Sequence, residues 1–187
     1  MENHLKKCTF QPQNCPLASV FGNCDWTGKL NQISSHFSDM HPSQHQTNVD
    51  TEMRIKNVCS NSRELHLITM GVYNFVFHLK VSETERNIYM TAQLIGSKMS
   101  AKKWTYEIHV YNKSKRHRKY VFVSTCSSSQ KSVHNIFNEK SCAVLPFAYA
   151  TTFVNNGALT YKIYIKKNIE VTEPASNLTE NQLGKGN

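Results

Sequence analysis

Long apolar runs are absent from this chain of 187 residues. No segment reaches the roughly 18 consecutive apolar residues that a membrane-spanning helix needs, so we expect no membrane partner. The opening residues, MENHLKKC, also lack the apolar stretch of a secretory signal. We therefore expect a cytoplasmic protein. Its six cysteines should serve as metal ligands or core residues rather than in disulfides, because the cytosol is reducing.

Glycine is also scarce, with seven residues, and the motifs of common enzyme sites are missing. The chain has no G-x-S-x-G nucleophile turn, no glycine-rich phosphate loop and no HExxH metal helix. Cys126 and Cys142 border apolar strand residues, where a buried thiol has a raised pKa and is inert. We predict no catalytic residue, and we expect Cys59, Cys126 and Cys142 to pack in the core.

Acidic residues are outnumbered, since 13 Asp and Glu stand against 22 Lys and Arg, which gives a net charge of +9. Such an excess is typical of nucleic-acid-binding proteins. The densest basic run, residues 113–119, lies between two alternating apolar segments, and this arrangement favours a solvated hairpin tip. We expect no nucleic-acid partner. A nucleic-acid-binding zinc-finger protein, and nuclear import through this basic run, are kept as alternatives.

Two cysteines and two histidines near the start have the spacing C-x8-C-x11-H-x4-H; they are Cys15, Cys24, His36 and His41. Zn2+ prefers four such ligands in a tetrahedron, and a site filled by four protein ligands is structural rather than catalytic. In most zinc fingers roughly two to four residues separate the two cysteines, and the gap in this chain is wider. The alternative is therefore a pair of buried thiols with two histidines that share one helix face by chance.

An incomplete second site lies upstream. His4 and Cys8 look like the second half of another finger, but no cysteine pair precedes them in a sequence that begins at Met1. We expect this upstream site to stay open. Residues 1–42 form the predicted zinc-finger region, in which Pro42 ends the helix that carries the histidines, and residues 43–53 read as a linker or an edge segment.

The sequence around the four ligands resembles the SIAH-type zinc finger of the seven-in-absentia family. The similarity includes Phe10 and Pro12 ahead of the first cysteine, and Trp26 and Gly28 after the second. Further matches follow in the same order: AQLIG at residues 92–96, Arg116 and Arg118, SVH at residues 132–134, and Asn156-Gly157 before an alternating strand. The resemblance implies structural Zn2+, a TRAF-like substrate-binding domain and a dimer.

Alternating apolar residues predict a series of β-strands after the finger. The predicted strands are residues 73–81, 88–95, 104–110, 120–123 and 159–165. A short helix is predicted at residues 146–154, with Asn155, Asn156 and Gly157 ending it in a left-handed conformation.

The predicted fold class is mostly β, with a small N-terminal SIAH-type zinc finger followed by an antiparallel TRAF-like β-sandwich at residues 43–170. Residues 171–187 contain few apolar side chains to bury, so we expect them to be disordered.

Members of the seven-in-absentia family act as ubiquitin ligases, in which a RING recruits the ubiquitin-charged conjugating enzyme (E2) and the sandwich selects substrates. These residues contain no RING. We therefore expect the chain to be either a piece of a ligase or a RING-less relative. An E2 partner is expected only if a RING is supplied elsewhere. The resemblance implies a substrate-recognition and dimerisation module for proteasomal degradation. The alternative is a non-catalytic regulator that pairs with full-length relatives as a decoy.

The family binds an extended segment of a substrate or adaptor by strand addition, in a groove between the finger and one sheet. The resemblance places Asn156 in this groove, with a plain turn residue as the alternative. The other side departs from the family, because Glu64 replaces its tryptophan and His66 lies near its methionine, after Arg63. A carboxylate is costly to desolvate where an aromatic ring would bury apolar area. We therefore expect weak binding of the usual valine- and proline-containing degron, and a more basic ligand.

Overall fold

The computed structural model describes residues 12–48, 51–114 and 118–168. Its N-terminal part is a small unit that we call the finger. The finger consists of β1 (Gln13–Asn14), α1 (Pro16–Phe21), β2 (Thr27–Gly28), a 3-10 turn (Leu30–Gln32) and α2 (Ile33–Met40). Strands β1 and β2 pair as an antiparallel hairpin, whose connection contains α1. The predictions for His4, Cys8 and the tail at residues 171–187 lie outside the described residues.

The first sheet packs against the finger. Its strands are β3 (His45–Gln46), β5 (Ser62–Met70), β6 (Tyr73–Ser82), β7 (Asn87–Leu94), β10 (Ser127–Ser128) and β11 (Ala143–Pro146). The strand order is β10-β7-β6-β5-β3, and β11 pairs with β7 as well. The central pairs are antiparallel, whereas the short strands β3 and β10 pair in parallel with β5 and β7.

The second sheet has four antiparallel strands. They are β4 (Glu52–Lys56), β8 (Trp104–Tyr111), β9 (Lys119–Thr125) and β12 (Ala158–Lys167), in the order β4-β12-β8-β9. Buried residues alternate with half-buried ones along the whole of β8, as expected for a strand with one face in a core. The two sheets enclose a large apolar core that includes Phe77, Tyr106, Leu159 and Tyr161, which confirms the mostly β sandwich.

A second, smaller core lies on the opposite face of the first sheet. Leu65 and Leu67 of β5 pack there with Val76 of β6, and the finger supplies the other side through residues such as Ile33 and Phe37. All five side chains are at most 3% exposed. The finger is therefore fixed to the sandwich by apolar contact, and β5 is covered on both faces.

The five predicted strands are confirmed, with bounds that differ by one or two residues from those expected. The predicted helix at residues 146–154 is also present, as α5 (Phe147–Ala150) and a 3-10 turn (Thr151–Phe153). The predicted linker or edge segment contains β3, which is an edge strand. The sequence patterns did not predict β4, β5, or the helices α3 (Lys98–Ala101) and α4 (Val133–Asn138). None of the helices in the described ranges is long and apolar enough to cross a membrane.

Two expectations about single positions are wrong. The helical segment ends at Phe153, because Val154 is already extended. Asn156 and Gly157 do have positive φ, +50° and +74°, but they form a two-residue turn between the paired residues Asn155 and Ala158, which is the use that tight hairpins make of Asn-Gly. Cys59 is exposed in the connection between β4 and β5, so it does not pack in the core as Cys126 and Cys142 do.

Candidate metal centre and adjacent cleft

The wide gap between the two cysteines is occupied by α1. Cys15 follows β1, and Pro16 begins the helix at a position that needs no backbone N–H. Gly22 ends the helix with φ +66°, a left-handed conformation that glycine adopts without strain, and Cys24 follows. A helix in this connection can thus return the chain to the metal side, and the unusual spacing is compatible with a closed site.

The two histidines are presented by α2 and the residue after it. His36 lies within α2, whereas His41 is its C-terminal cap, with φ −136° and an N–H that still bonds to the carbonyl of Phe37. Trp26 stacks on the His36 ring at 4.4 Å between centroids and 6° between planes. A Cβ at position 28 would overlap the Trp26 ring, so Gly28 leaves the space that this stacking requires. Trp26 and Gly28 therefore fix the orientation of the His36 ring.

All four predicted ligands meet. One ligand atom from each of Cys15, Cys24, His36 and His41 lies within 4.8 Å of the others. The Sγ atom of Cys24 is 3.5 Å from Nε2 of His36 and 3.4 Å from Nε2 of His41. Tetrahedral zinc, with bonds of about 2.3 Å to sulfur and about 2.0 Å to nitrogen, separates such atoms by about 3.5 Å. The cluster thus fits a closed, structural metal site, with two soft sulfur and two imidazole donors.

Burial affects the protonation of the cysteine and histidine side chains of this cluster in opposite ways. Burial is the largest cause that raises the pKa of the Cys15 thiol, to about 11, so this thiolate needs a cation beside it. Burial lowers the pKa of His36, and the neighbouring His41 adds to that shift, which keeps the imidazole neutral and able to ligate. A doubly charged metal ion would stabilise the thiolates that burial alone disfavours.

A cleft of about 370 Å3 lies between the finger and β5. It is lined by Leu17, Phe21, Asn23, His41, Ser43, Gln44, Arg63, Glu64, Leu65 and His66. The predicted groove residues Glu64 and His66 are therefore both at this cleft, together with His41 of the candidate metal centre. Leu17, Phe21 and Asn23 were not singled out in the sequence, because their contribution depends on the position of α1.

The third predicted groove residue, Asn156, is not part of the lining of this cleft. It lies in the turn that leads into β12, whose first residue, Ala158, pairs with Lys56 at the end of β4. The chain enters β5 a few residues after Lys56, so Asn156 lies toward the end of the sandwich where β5 begins. Its role as a peptide contact stays a prediction.

Glu64 and His66 project from β5 toward the core between the sheets. Leu65 and Leu67 contact the finger on one face of the strand, so their neighbours Glu64 and His66 are on the other face. The His66 ring is 6.5 Å from that of Phe77 in the sandwich core. Nε2 of His66 lies 3.4 Å from Oε2 of Glu64, and their side chains are 15% and 35% exposed.

A comparison with known proteins identifies the family of this chain. The family model described as "Sina, TRAF-like domain" matches residues 69–164, slightly more than half of the chain. The chain belongs to the Sina, or seven-in-absentia, family. The family match covers β6 to most of β12 and does not include the finger.

A relative extends the comparison to the finger. The chain is 23% identical over 180 residues to "E3 ubiquitin-protein ligase siah-1" of Caenorhabditis briggsae, and the match covers 88% of this chain. It covers 39% of that relative, so this chain spans less than half of the length of the ligase that it matches.

Proposed function

We propose that this Sina-family chain recognises proteins destined for ubiquitin-dependent degradation, by holding an extended segment of a substrate or adaptor in the cleft between the finger and β5. Zn2+ at Cys15, Cys24, His36 and His41 would be its structural cofactor, since it holds the finger wall of that cleft in place. The observation that carries the proposal is the open edge of β5 beside the cleft. In this proposal the chain acts in the cytoplasm. It contacts E2 only through a RING that is supplied elsewhere.

The open edge follows from the strand pairing. On one side β5 pairs with β6 along its full length, from Ser62 to Met70. On the other side, within the part of the chain that the structure describes, only Leu67 and Ile68 are paired, with the short strand β3. Residues 62–66 therefore present an unpaired edge to the cleft, and an extended peptide can add there by backbone hydrogen bonds. The cleft walls would then select its side chains.

A substitution in the finger wall tests this site. Phe21 lines the cleft and is 43% exposed, so Phe21→Ser should leave the fold intact and weaken peptide binding roughly tenfold by removing apolar contact area. Fluorescence anisotropy with a labelled random octapeptide pool and the zinc-loaded chain would measure this loss. Met99→Ser is the matched control, because Met99 is 79% exposed on α3 and outside the cleft lining. Equal binding by both variants and by the unmodified chain would count against the cleft.

A second candidate function is that of a regulator that pairs with longer relatives. It is favoured by β9, which is the last strand of the second sheet and exposes Val121 and Val123 by 47% and 54%. Two such edges can pair around a twofold axis and give a dimer of this chain or a heterodimer with a relative. Adding the chain to a reconstituted full-length family ligase separates the candidates. Slower ubiquitination supports the regulator, whereas an unchanged rate together with peptide binding supports the recognition module.

A further inference from the structure

The described strands contain two Glu-x-His pairs. They differ in whether a lysine lies beside the glutamate. Glu64 and His66 lie on β5, and Glu107 and His109 lie on β8. In each pair the histidine Nε2 contacts the glutamate Oε2, at 3.4 Å on β5 and 3.0 Å on β8. The two pairs therefore provide an internal comparison of the same local arrangement.

On β8 a lysine completes the arrangement. Nζ of Lys166, on the neighbouring strand β12, lies 2.7 Å from Oε1 of Glu107. This hydrogen bond is the largest cause that lowers the pKa of Glu107. The other half-buried carboxylate in the second sheet, Glu52, has the Nζ of Lys113 at 2.8 Å. Half burial of a carboxylate is thus compensated by a lysine at both positions.

On β5 the corresponding cation is missing. Within residues 12–48, 51–114 and 118–168, no Lys or Arg forms an ion pair with Glu64. Arg63 is adjacent in sequence, but successive side chains of a strand point to opposite faces, so its guanidinium extends away from the Glu64 carboxylate. Glu64 is 35% exposed at the cleft, which is where a cation from outside could reach it.

Two further polar atoms beside Glu64 have no partner among the described residues. The side chain of Tyr161 is fully buried, and its hydroxyl forms no hydrogen bond. Burial is the main cause that raises the pKa of Tyr161, and the charge of Glu64 adds to it. The Tyr161 ring lies 5.8 Å from that of Phe77, which in turn lies 6.5 Å from the His66 ring. Nδ1 of His66 is also buried without a partner. The described residues on the interior side of Glu64 therefore offer its carboxylate no cation, and a positively charged group can reach it from the cleft.

We propose that Glu64, supported by His66, forms a subsite for a lysine or arginine side chain of the extended ligand. The inference rests on the proposed function, since it assigns the side-chain class that the cleft selects. The exposed side of the Glu64 carboxylate can accept hydrogen bonds from the ligand, while His66 donates from Nε2 to the same carboxylate and holds it in place. An ammonium or guanidinium group offers several donors and the positive charge that Lys166 supplies on β8.

The test uses labelled octapeptide pools in which one position is fixed as lysine, arginine, norleucine or glutamate and the others are random. Binding to the zinc-loaded chain is measured by fluorescence anisotropy at physiological salt. We expect the best lysine or arginine pool to bind about tenfold more tightly than the matching norleucine pool. Glu64→Gln should reduce this preference to less than about twofold, while circular dichroism and zinc content stay unchanged.

Glu107→Gln is the matched control, because it removes the same charge from the same local pattern on the other sheet. It should keep the preference of the unmodified chain. Pools that bind without a preference for basic residues, or a preference that survives Glu64→Gln, would overturn the subsite and leave the peptide cleft standing. Absence of binding by every pool would overturn the cleft and the subsite together.

Discussion

Removal of the metal by a chelator, or the substitution Cys24→Ser, is expected to unfold the finger and leave the sandwich folded. Zinc binding contributes on the order of 10 kcal/mol to the folding of small fingers at neutral pH. In residues 12–41 the regular structure of the finger is limited to two short strands, two short helices and a 3-10 turn, so its apolar contacts with the sandwich depend on the metal to keep their positions. Cys24 contacts both histidines, so its loss removes one ligand and disturbs the geometry of two more.

The sandwich should survive this change because its main core contains no finger residue. The finger covers Leu65, Leu67 and Val76 of the first sheet and Ile95, which follows β7. These four apolar side chains would become exposed. We therefore expect binding of an apolar dye, rapid hydrogen exchange at residues 13–41 and retained β-sheet signal in circular dichroism.

The matched control is Cys59→Ser, because Cys59 is exposed and is not part of the Cys/His cluster. This variant should keep about one zinc per chain and the stability of the unmodified protein. Elemental analysis of all three proteins measures the metal content directly. If the Cys24→Ser protein also holds close to one zinc per chain, the ligand assignment is wrong.

Acidification is expected to destabilise the fold by about 2 kcal/mol between pH 7 and pH 5, through His78 alone. Burial lowers the pKa of this histidine on β6 from 6.5 to about 4, and a hydrogen bond with Gln93 opposes only part of the shift. Between these values the unfolded chain binds a proton that the folded chain does not. The stabilisation is therefore complete above pH 6.5 and is lost as the pH falls toward 4.

Urea denaturation at a series of pH values, with zinc content followed in parallel, measures this slope. His78→Gln removes the titrating group and keeps an amide that can bond to Gln93, so its stability should vary less with pH than that of the unmodified chain. His134→Gln serves as the control, since His134 is exposed on α4. Carboxylates with lowered pKa, such as Glu107, add their own loss only at lower pH. Parallel slopes for the His78 variant and the unmodified chain would contradict the assignment.

Four of the five predicted strands, β6, β7, β8 and β12, carry apolar residues at every second position on the face toward the main core. In β8 and β12 apolar residues alternate with polar ones, and the alternation reports the buried face directly. Strand β5 was missed because Glu64 and His66 interrupt this apolar alternation on the face toward the sandwich. Leu65 and Leu67 face the finger, whereas Glu64 and His66 face the sandwich. The polar residues of β5 therefore do not mark a solvent-exposed face of the strand.

The metal ligands could be predicted because their chemistry is carried by residue type and spacing. The walls of the cleft could not, because Leu17 and Phe21 reach it only through α1, a helix of six residues that the spacing between Cys15 and Cys24 does not reveal. Asn156 and Gly157 show the same limit. Their tendency for positive φ was clear, but whether it would end a helix or form a hairpin turn depended on the pairing of β12 with β4.

Strand β5 is enclosed by unlike layers, and this fixes its alignment. A shift of one residue against β6 would turn Leu65 and Leu67 inward and place Glu64 and His66 beneath the finger, where neither carboxylate nor imidazole would find water. Both layers would oppose such a shift at once. Strand β5 can thus keep its register although part of one edge is unpaired among the described residues. A peptide that adds to this edge would always meet the same order of backbone donors and acceptors.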